Sequence, residues 1–500
     1  MKLPPVLCAA LGAALGYYVL GALPAEARPR WVLALLLFAA ALASLSRVLA
    51  LGWGSPSPGF FRGAFRRTER RIHRRALALA AGLILGTAAA ALSLAGAPRL
   101  GLPLEEVRGI AGILDEDPRE TRGGGGMGGL ALRSVTGEGG LRASARGRVT
   151  VFFPGEALPR LRDFGRGAEV FVEGGFAEDG AGSGGPFRAR STHIVNPAPA
   201  WEQRRTGIRL ALLEKLEGHS WGGLGAALLL GVKDNLDGEL AKKYQAAGCS
   251  HVLALSGMHL AVVAALAAFF LRKPLGLKAA AALGAVLILL YVGLIGVQPS
   301  LERSAIMYLL GAAAVWGFLP RQPLSLLAMA FLIQLVIRPA AGNSISFILS
   351  YLALLGILTA GEFLHGLLRG RLPEFLASPL SASLGAYLAT QAVVAGFGVV
   401  RPAGILAGLI IVPLTTVFMI AVMVALPISF LSPFLMPYLS MALSLCYGLL
   451  ERVVSLAALV PGIAAEGWAR EILLTLLAAG LCLCPGYPYS VRRRTIAPFA

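Results

Sequence analysis

Long runs of apolar residues recur along the chain and form two groups, which a more polar stretch separates. Three runs come first, at residues 6–23, 31–51 and 76–94. About nine or ten further runs lie between residues 221 and 484, and a helix needs ~20 residues to cross the hydrocarbon core of a bilayer. The pattern predicts a polytopic α-helical membrane protein with about 12 spans.

Glycine and proline residues interrupt several runs of the second group. The interruptions fall at Ser256-Gly257, Pro299, Pro339, Pro413 and Pro427. Unwound backbone at membrane depth is stable only where protein covers it or water lines it. Interrupted helices are therefore typical of a transport pathway rather than of a plain membrane anchor.

The stretch between the two groups alternates apolar and polar residues with a period of two. β-Branched and aromatic residues fill the apolar positions, and Gly, Pro and Asp bound each segment, which is typical of strands. Five strands are predicted, at residues 107–114, 130–136, 145–153, 168–176 and 187–195. Residues 123–126 would form a hairpin tip. Five strands over this length suit an inserted, small all-β OB-like domain, a partly open barrel often used on single-stranded nucleic acid.

These patterns divide the chain into five parts. We expect three transmembrane helices with an Arg-rich cytoplasmic loop at 1–97, a periplasmic OB-like β-domain at 98–200, an amphipathic interfacial helix at 201–220, a second transmembrane region that holds the pathway at 221–485, and a basic cytoplasmic tail at 486–500. The first run ends in Ala25-Glu26-Ala27, which resembles a signal-peptidase site, so cleavage there stays open.

Composition and charge support membrane insertion. Of the 500 residues, 56% are hydrophobic and 14% are charged, against about 25% charged in soluble domains. The net charge is +18, and residues 1–98 hold 11 basic and 2 acidic groups. The densest cluster, seven arginines within residues 62–75, is predicted to form a short cytoplasmic loop. The third run would then carry residues 98–200 to the outer side. The positive charge is a topology signal and does not by itself argue for DNA.

Nothing in the sequence indicates a metal or a cofactor. Cys8, Cys249, Cys446, Cys482 and Cys484 lie in or beside apolar runs without zinc-ligand spacing. We interpret them as packing residues rather than as disulfide partners. The six histidines form no HxHxDH metal motif, and no GxxxxGK[ST] phosphate loop occurs. No catalytic residues are predicted, so the protein is not expected to be an enzyme.

The most informative segment is residues 248–259, GCSHVLALSGMH. It places His251, Ser256, Gly257 and His259 in apolar surroundings, where ionisable groups are costly unless they face a cavity or a partner. Gly257 can break a helix and free backbone N–H groups, which favour anions. Two interpretations stay open. One is a route for a phosphate-bearing substrate, and the other is a tight helix crossing in which the His and Ser side chains bond to neighbouring backbone.

This segment resembles the hallmark of the ComEC-type competence proteins, a family of DNA internalization proteins. The hallmark combines a glycine, a Ser-His pair and a Ser-Gly-hydrophobic-His block. Further family-like stretches follow at residues 299–307, 321–337, 347–358 and 397–413, and residues 148–174 look like the family's OB-type domain. The resemblance implies an inner-membrane channel that takes single-stranded DNA into the cytoplasm during natural transformation.

The resemblance also implies a set of partners. They are single-stranded DNA, membrane lipids, a periplasmic DNA receptor, a separate nuclease and a cytoplasmic ATP-dependent translocase. Many family members carry a C-terminal metallo-β-lactamase-like domain. Because the metal motif of that domain is missing here, we expect any nuclease to be another polypeptide.

Further polar groups are candidates for the DNA path. Arg303 could meet phosphates or pair with Glu302, and Ser350 could line a wet passage or bond helix to helix. The predicted path consists of His251, Ser256, Gly257, His259, Gln298, Arg303 and Ser350.

In the predicted β-domain, candidate DNA-binding residues are three arginines and two aromatic residues. They are Arg142, Arg146, Arg148, Phe152 and Phe171. Base stacking combined with phosphate attraction is the usual chemistry of unspecific single-strand binding. Alternate aromatic residues must also fill the barrel, and residues 99–209 hold 16 arginines against 14 acidic residues. This surface is therefore not strongly basic.

Two other classes of function stay open. A secondary transporter of a small solute or lipid would use interrupted helices equally well. An intramembrane hydrolase would use Ser256 as nucleophile and His259 as base, since residues three apart on a helix can be neighbours. Gly257 leaves that geometry open, and no oxyanion site is evident.

Overall fold

The computed structural model describes residues 4–22, 32, 35, 61–95, 98–121, 124–177, 185–296, 298–319, 321–395 and 399–464. Most of the predicted second span at 31–51, the cleavage-like sequence at 25–27 and everything beyond residue 464 lie outside these residues. The helices are α1 (Pro5–Ala22), α2 (Phe61–Ala95), α3 (Leu158–Phe164), α4 (Ala200–Leu216), α5 (Gly222–Leu230), α6 (Gly238–Ala246), α7 (Gly257–Ile295), α8 (Pro299–Val315), α9 (Pro323–Ile337), α10 (Ile345–Gly356), α11 (Glu362–Leu368), α12 (Glu374–Val394), α13 (Ala403–Leu431) and α14 (Met436–Ala458).

Several of these helices are long and apolar enough to cross a membrane. Within the described part of the chain there are six such segments: Pro5–Ala22, Arg74–Leu94, Gly257–Ile295, Ile345–Leu368, Ala403–Leu431 and Met436–Ala458. The fourth combines α10 and α11, which a π-helical segment at Ile357–Gly361 joins. The predicted helical architecture with helices of membrane-spanning length is confirmed, and the count of about 12 spans stays a prediction.

The longest helix, α7, is a hairpin of two helices. Gly276 has φ 77° and ψ 170°, a conformation that only glycine adopts readily, and Pro274 lies just before it. Ile288 in the second half belongs to the same buried cluster as Ala264 in the first half. Residues 257–275 and 277–295 therefore fold back on each other, and each half approaches the ~20 residues that span a bilayer.

The Arg-rich segment at residues 62–75, which is predicted to connect two spans on the cytoplasmic side, is helical. Helix α2 begins at Phe61 and continues to Ala95. Arginine and alanine are strong helix formers, and no proline interrupts the segment. The helix therefore extends well beyond the apolar run.

The prolines predicted to interrupt helices have two different outcomes. Pro299 is the first residue of α8, and Pro339 opens a 3₁₀ turn before α10. Pro413 and Pro427, in contrast, lie inside α13 and do not end it, so that part of the prediction is wrong. Membrane helices tolerate proline because neighbouring helices and hydroxyl side chains satisfy the freed backbone groups.

A separate β-domain lies between α2 and α4. Its strands are β1 (Arg99–Leu100), β2 (Val107–Leu114), β3 (Arg119–Glu120), β4 (Gly126–Gly137), β5 (Arg142–Arg146), β6 (Arg148–Phe153), β7 (Glu169–Phe176) and β8 (Phe187–Asn196). A further pair, β9 (Val399–Val400) and β10 (Ile463–Ala464), forms a small ladder elsewhere. The predicted single strand at 145–153 is split at Gly147, whose φ is 105°.

Five strands of the β-domain close into a barrel. β2 pairs antiparallel with β4 and β7, β4 with β6, and β7 with β8, while β6 and β8 pair in parallel and complete the ring. Helix α3 connects β6 to β7. Alternate residues fill the interior, and Ile110, Leu130, Val151, Val170 and Phe187 are fully buried.

Helix α4 connects the barrel to the membrane helices through a network of ion pairs. Asp117, between β2 and β3, accepts from Arg205 at 2.6 Å and from Arg209 at 2.5 Å, both on α4. Arg205 also donates to the Leu294 carbonyl (3.1 Å), and Arg209 donates to the Leu230 carbonyl (3.3 Å). These carbonyls lie at the C-terminal ends of α7 and α5, where helices leave acceptors unpaired and carry partial negative charge.

Two further carboxylates complete this junction. Glu202, which is 2% exposed, accepts from Arg205 at 2.5 Å and pairs with Arg166 of the β-domain. Arg162 on α3 pairs with Asp234, in the loop after α5, at 2.5 Å. The barrel is therefore fixed to α4 and to the loop after α5 by charged contacts.

The charges at the junction control the ionisation of Asp117. Burial alone would raise the pKa of its carboxyl group. The hydrogen bond from Arg205 and the charges of Arg209 and Arg205 outweigh burial, so the pKa lies below its ordinary value. Asp117 is therefore a stable anion at neutral pH.

Candidate functional site

The predicted motif begins at Gly248, which links α6 to the next turn. Its φ is 74°, and a Cβ there would lie 3.1 Å from Cα of Gly404 and 3.2 Å from Cβ of Arg401. The Arg401 guanidinium also donates to the Ala246 carbonyl at 2.8 Å. Glycine is therefore required both by the backbone conformation and by the close approach of the start of α13.

The two histidines of the motif lie in different environments. His251 belongs to the 3₁₀ turn Ser250–Val252, and its side chain is exposed. His259 lies in the first turn of α7 and is completely buried. Of the two histidines predicted on the DNA path, the structure brings only His259 to the start of α7.

Ser256 and His259 together cap the start of α7. The Ser256 hydroxyl accepts from the Met258 N–H at 3.3 Å, and the Ser256 N–H donates to Nδ1 of His259 at 3.1 Å. This is a capping box in which His259 occupies the place usually taken by Glu or Gln. The predicted break at Gly257 is thus the beginning of a helix whose cap is held by side chains.

Helix α8 packs directly against this helix start. The Ser300 hydroxyl donates to the Leu255 carbonyl at 2.6 Å. A Cβ on Gly257 would lie 2.7 Å from the Ser304 hydroxyl and 3.1 Å from Nη2 of Arg303. Because real Cβ atoms avoid such distances, glycine at 257 allows α8 to pack at this separation.

Arg303 is a buried cation surrounded by neutral groups. It is 8% exposed, and it donates to the Ser350 carbonyl and, at 3.3 Å, to the Ser304 hydroxyl. Its guanidinium lies 5.9 Å from the ring centroid of Tyr351, within cation–π range. Ser350 therefore contributes a backbone oxygen, and no carboxylate pairs with Arg303 in the described part of the chain.

Glu302, the partner considered for Arg303 in the sequence, is held by α9 instead. Nε2 of Gln334 donates to Glu302 at 2.9 Å and to the Pro299 carbonyl at 2.9 Å. Arg338 lies 3.9 Å from the same carboxylate, and the Tyr351 hydroxyl donates to Oε1 of Gln334 at 2.9 Å. This network turns the acidic side chain of Glu302 away from Arg303.

Some residues of the site are absent from the sequence prediction. Ser300, Ser304 and Tyr351 contact the motif or Arg303, and none of the three was predicted. For the two serines, the sequence spacing along α8 could have indicated this position, because residues three and four apart share one face of a helix. Ser300, Arg303 and Ser304 follow that spacing.

Gln298 extends the site toward the β-domain. Its Nε2 atom lies 3.6 Å from where a Cβ on Gly231 would stand. Gly231 follows Leu230, whose carbonyl accepts from Arg209. Polar groups therefore follow one another from the Asp117 junction, past Gln298, to Ser256 and Arg303.

The predicted arginines of the β-domain are not equivalent. Arg148 pairs with Asp115 at 3.0 Å and with Glu116 at 2.7 Å. Arg142 and Arg146 are exposed on β5 and form no ion pair with any described residue. Of the three predicted arginines, only these two form no ion pair within the described part of the chain, and Arg146 lies opposite Arg99 of β1.

Phe152 and Phe171 lie on the outer face of the barrel. Each is partly buried, and each alternates with buried residues of the interior. Phe152 is paired across the ladder with Arg188, and Phe171 with His193. Both aromatic residues therefore flank β8, whereas the two free arginines lie on β5.

The arrangement offers hydrogen-bond donors rather than metal ligands. No group of three or more His, Cys, Asp or Glu side chains that could hold a metal occurs among the residues described. The start of α7 instead combines a helix N-terminus with a buried guanidinium, both of which favour an anion.

A comparison with known families covers the same region. Residues 228–488, more than half of the chain, match the family described as competence protein. The chain belongs to the competence protein family. The match contains the whole motif and Arg303, and it confirms the resemblance to ComEC-type proteins.

Two relatives resemble parts of this competence protein. ComE operon protein 3 of Bacillus subtilis (strain 168) is 30% identical over 138 residues, which are 26% of this chain and 17% of that protein. An uncharacterized protein of Aquifex aeolicus (strain VF5) is 28% identical over 240 residues, which are 46% of this chain and 55% of that protein. The matches thus span less than two thirds of either relative. No solved structure matches the chain significantly.

Proposed function

We propose that this competence protein is an inner-membrane channel through which single-stranded DNA enters the cytoplasm during natural transformation. The observation that carries the proposal is the position of the family motif. Ser256, Gly257 and His259 form the start of a membrane hairpin, against a buried cation, at the end of a polar series that begins at the β-domain junction. A strand received by the barrel would follow this series inward.

The orientation of the α7 hairpin supports an outer position of the β-domain. Its turn at Gly276 carries Arg272, Lys273 and Lys278, and basic residues mark cytoplasmic loops. The open end of the hairpin then faces the periplasm. Leu294, at that open end, accepts from Arg205 of the junction, so the barrel belongs on the same side.

The barrel is proposed to be an OB-like domain that binds the incoming strand. The closed ring of five strands, the parallel pairing of β6 with β8 and the helix between β6 and β7 support this assignment. Phe152 and Phe171 on its outer face supply surfaces for base stacking, and Arg142 and Arg146 supply phosphate contacts. A periplasmic DNA receptor would deliver the strand.

Transport without covalent chemistry requires other proteins. A cytoplasmic ATP-dependent translocase would pull the strand, and a separate nuclease would remove its complement. The hydrolase reading has one observation in its favour, since Ser256 Oγ lies 3.2 Å from His259 Nδ1. Both atoms serve the helix cap, however, because Oγ accepts from Met258 N–H and Nδ1 accepts from Ser256 N–H. We therefore assign the pair a capping role.

The test follows labelled DNA into the cytoplasm. The gene is deleted in its own host, or transferred to a transformable host that lacks its own channel, and protected cytoplasmic label is measured with and without the full chain. We expect label to enter only when the chain is present. Equal entry without the chain would refute the channel, and entry of a labelled small solute in place of DNA would establish a secondary transporter.

A further inference from the structure

Two buried donors near the start of α7 have no acceptor among the described residues. One is Nε of Arg303 and the other is Nε2 of His259. Because Nδ1 of His259 accepts the Ser256 N–H, the neutral ring carries its proton on Nε2. Both atoms are therefore N–H donors, and leaving a buried donor unsatisfied is unfavourable.

These donors lie beside a helix N-terminus that is itself electropositive. Gly257 is the first residue of the first helix of the α7 hairpin, and a Cβ built on it would lie 3.1 Å from Nη2 of Arg303. The start of a helix carries a partial positive charge, and a guanidinium repels it unless an anion lies between or beside them. Two positive groups are thus held together within low-dielectric surroundings.

Among the residues that the structure describes, no acidic side chain pairs with this positive charge. Glu302, adjacent to Arg303 in sequence, is bonded to Gln334 and lies near Arg338. The acceptors of Arg303 are a carbonyl and a hydroxyl, which are uncharged. A buried charge without a counter-charge is costly, and an anion bound at this position would offset that cost.

We infer that Arg303, Nε2 of His259 and the N-terminus of α7 form a binding site for one phosphodiester group of the transported strand. The inference rests on the proposed function and names the contact at which the strand enters the helices. A phosphodiester is a monoanion with two free oxygens, which matches a guanidinium fork combined with a second donor. On entry, the phosphate would replace Ser304 and the Ser350 carbonyl as acceptors of Arg303.

The test measures binding to the full chain in a phosphate-free maltoside detergent. The probes are a phosphodiester dT12, a dT12 with an uncharged methylphosphonate backbone, and dihexanoyl phosphatidylglycerol. The variants are Arg303→Gln and Arg303→Lys. The control is Arg321→Gln. Arg321 donates to the Ala314 carbonyl at 3.2 Å and makes no contact with Arg303 or His259.

We expect Arg303→Gln to weaken phosphodiester dT12 binding about tenfold, the effect of one charge-assisted contact. Binding of the methylphosphonate strand should not change, and Arg321→Gln should behave like the parent. If Arg303→Gln does not fold, Arg303→Lys must still weaken the phosphodiester probe several-fold, since lysine lacks the fork. Unchanged dT12 binding by a folded Arg303 variant, or binding of the lipid alone, overturns the inference.

The uptake assay separates this inference from the proposed function. If deletion of the chain leaves DNA entry intact, the channel itself is refuted. If deletion abolishes entry but a folded Arg303→Gln protein restores it fully, the channel stands and only the phosphate site is refuted.

Discussion

The guanidinium of Arg303 lies against Gly257, and a Cβ on that glycine would stand 3.1 Å from its Nη2 atom. This contact joins the motif of the competence family to α8, 46 positions further along the chain. It also explains why glycine follows the capping serine, since any side chain there would displace Arg303 and Ser304.

Replacing Gly257 by alanine tests this contact. The new methyl group would lie 2.7 Å from the Ser304 hydroxyl, so α8 or its side chains must shift. Alanine is well tolerated in helices, so we expect a folded protein with a DNA entry rate reduced about tenfold or more. Gly293→Ala, in the same hairpin with nothing within 4 Å, is the matched control. Normal entry with Gly257→Ala would show that the spacing is not required.

Substitutions at Ser256 separate a cap from a nucleophile. Ser256→Ala removes the acceptor for the Met258 N–H and should destabilise the protein by about 1 kcal/mol, whereas Ser256→Asn keeps a cap. We expect Asn to retain most DNA entry and most thermal stability, and Ala to lose part of both. An asparagine variant that is stable yet inactive would favour the hydrolase reading instead.

Local patterns predicted local elements well. The alternation at residues 107–114 coincides with β2, because the same period of two sorts side chains between the barrel interior and its surface. The Ser-Gly pair at 256–257 marks the start of α7, because cap residues act within one helical turn. The helical conformation of the Arg-rich segment did not follow from its charge, since charge density indicates the side of the membrane but not where a helix begins.

Contacts between segments that are far apart in the chain could not be predicted from the sequence. Asp117 meets Arg205 and Arg209 across 88 and 92 positions, and no period or spacing within either segment indicates that meeting. The sequence likewise left Arg303 open between a phosphate and Glu302. In the structure, Glu302 accepts from Gln334 of α9 and does not pair with Arg303, a contact that the sequence does not indicate.

The surface of the β-domain offers a charge test with an internal control. Replacing Arg142 and Arg146 by glutamine should weaken binding of single-stranded DNA to the full chain and reduce the salt dependence, by about 0.7 in slope for each lost phosphate contact. Arg148→Gln should affect binding less, because Arg148 is already paired with Asp115 and Glu116. Equal loss in all variants would point to damage of the barrel rather than to loss of phosphate contacts.

The Asp117 junction is expected to hold the β-domain against α4. Asp117→Asn leaves Arg205 and Arg209 without their shared carboxylate, and removing one member of a buried pair typically costs about 3 kcal/mol. We expect faster hydrogen exchange in α4 and reduced DNA entry. Glu138→Gln, which breaks an exposed pair with Arg108, should change hydrogen exchange in α4 little.

The same junction predicts a pH dependence with a definite sign. The pKa of Asp117 in the folded protein lies below its ordinary value, which is about 3.9 in an unfolded chain. The stabilisation from its ionised form is therefore complete above about pH 4 and is lost as the pH falls through the lower folded pKa. Protection of α4 amides against exchange, corrected for the intrinsic exchange rate, should stay constant between about pH 8 and 5 and decrease only in stronger acid, whereas Asp117→Asn should lack that decrease. A loss of protection in the parent between about pH 7 and 5 would mean that another group controls the junction. A carboxyl group whose pKa is lowered does not titrate in that range.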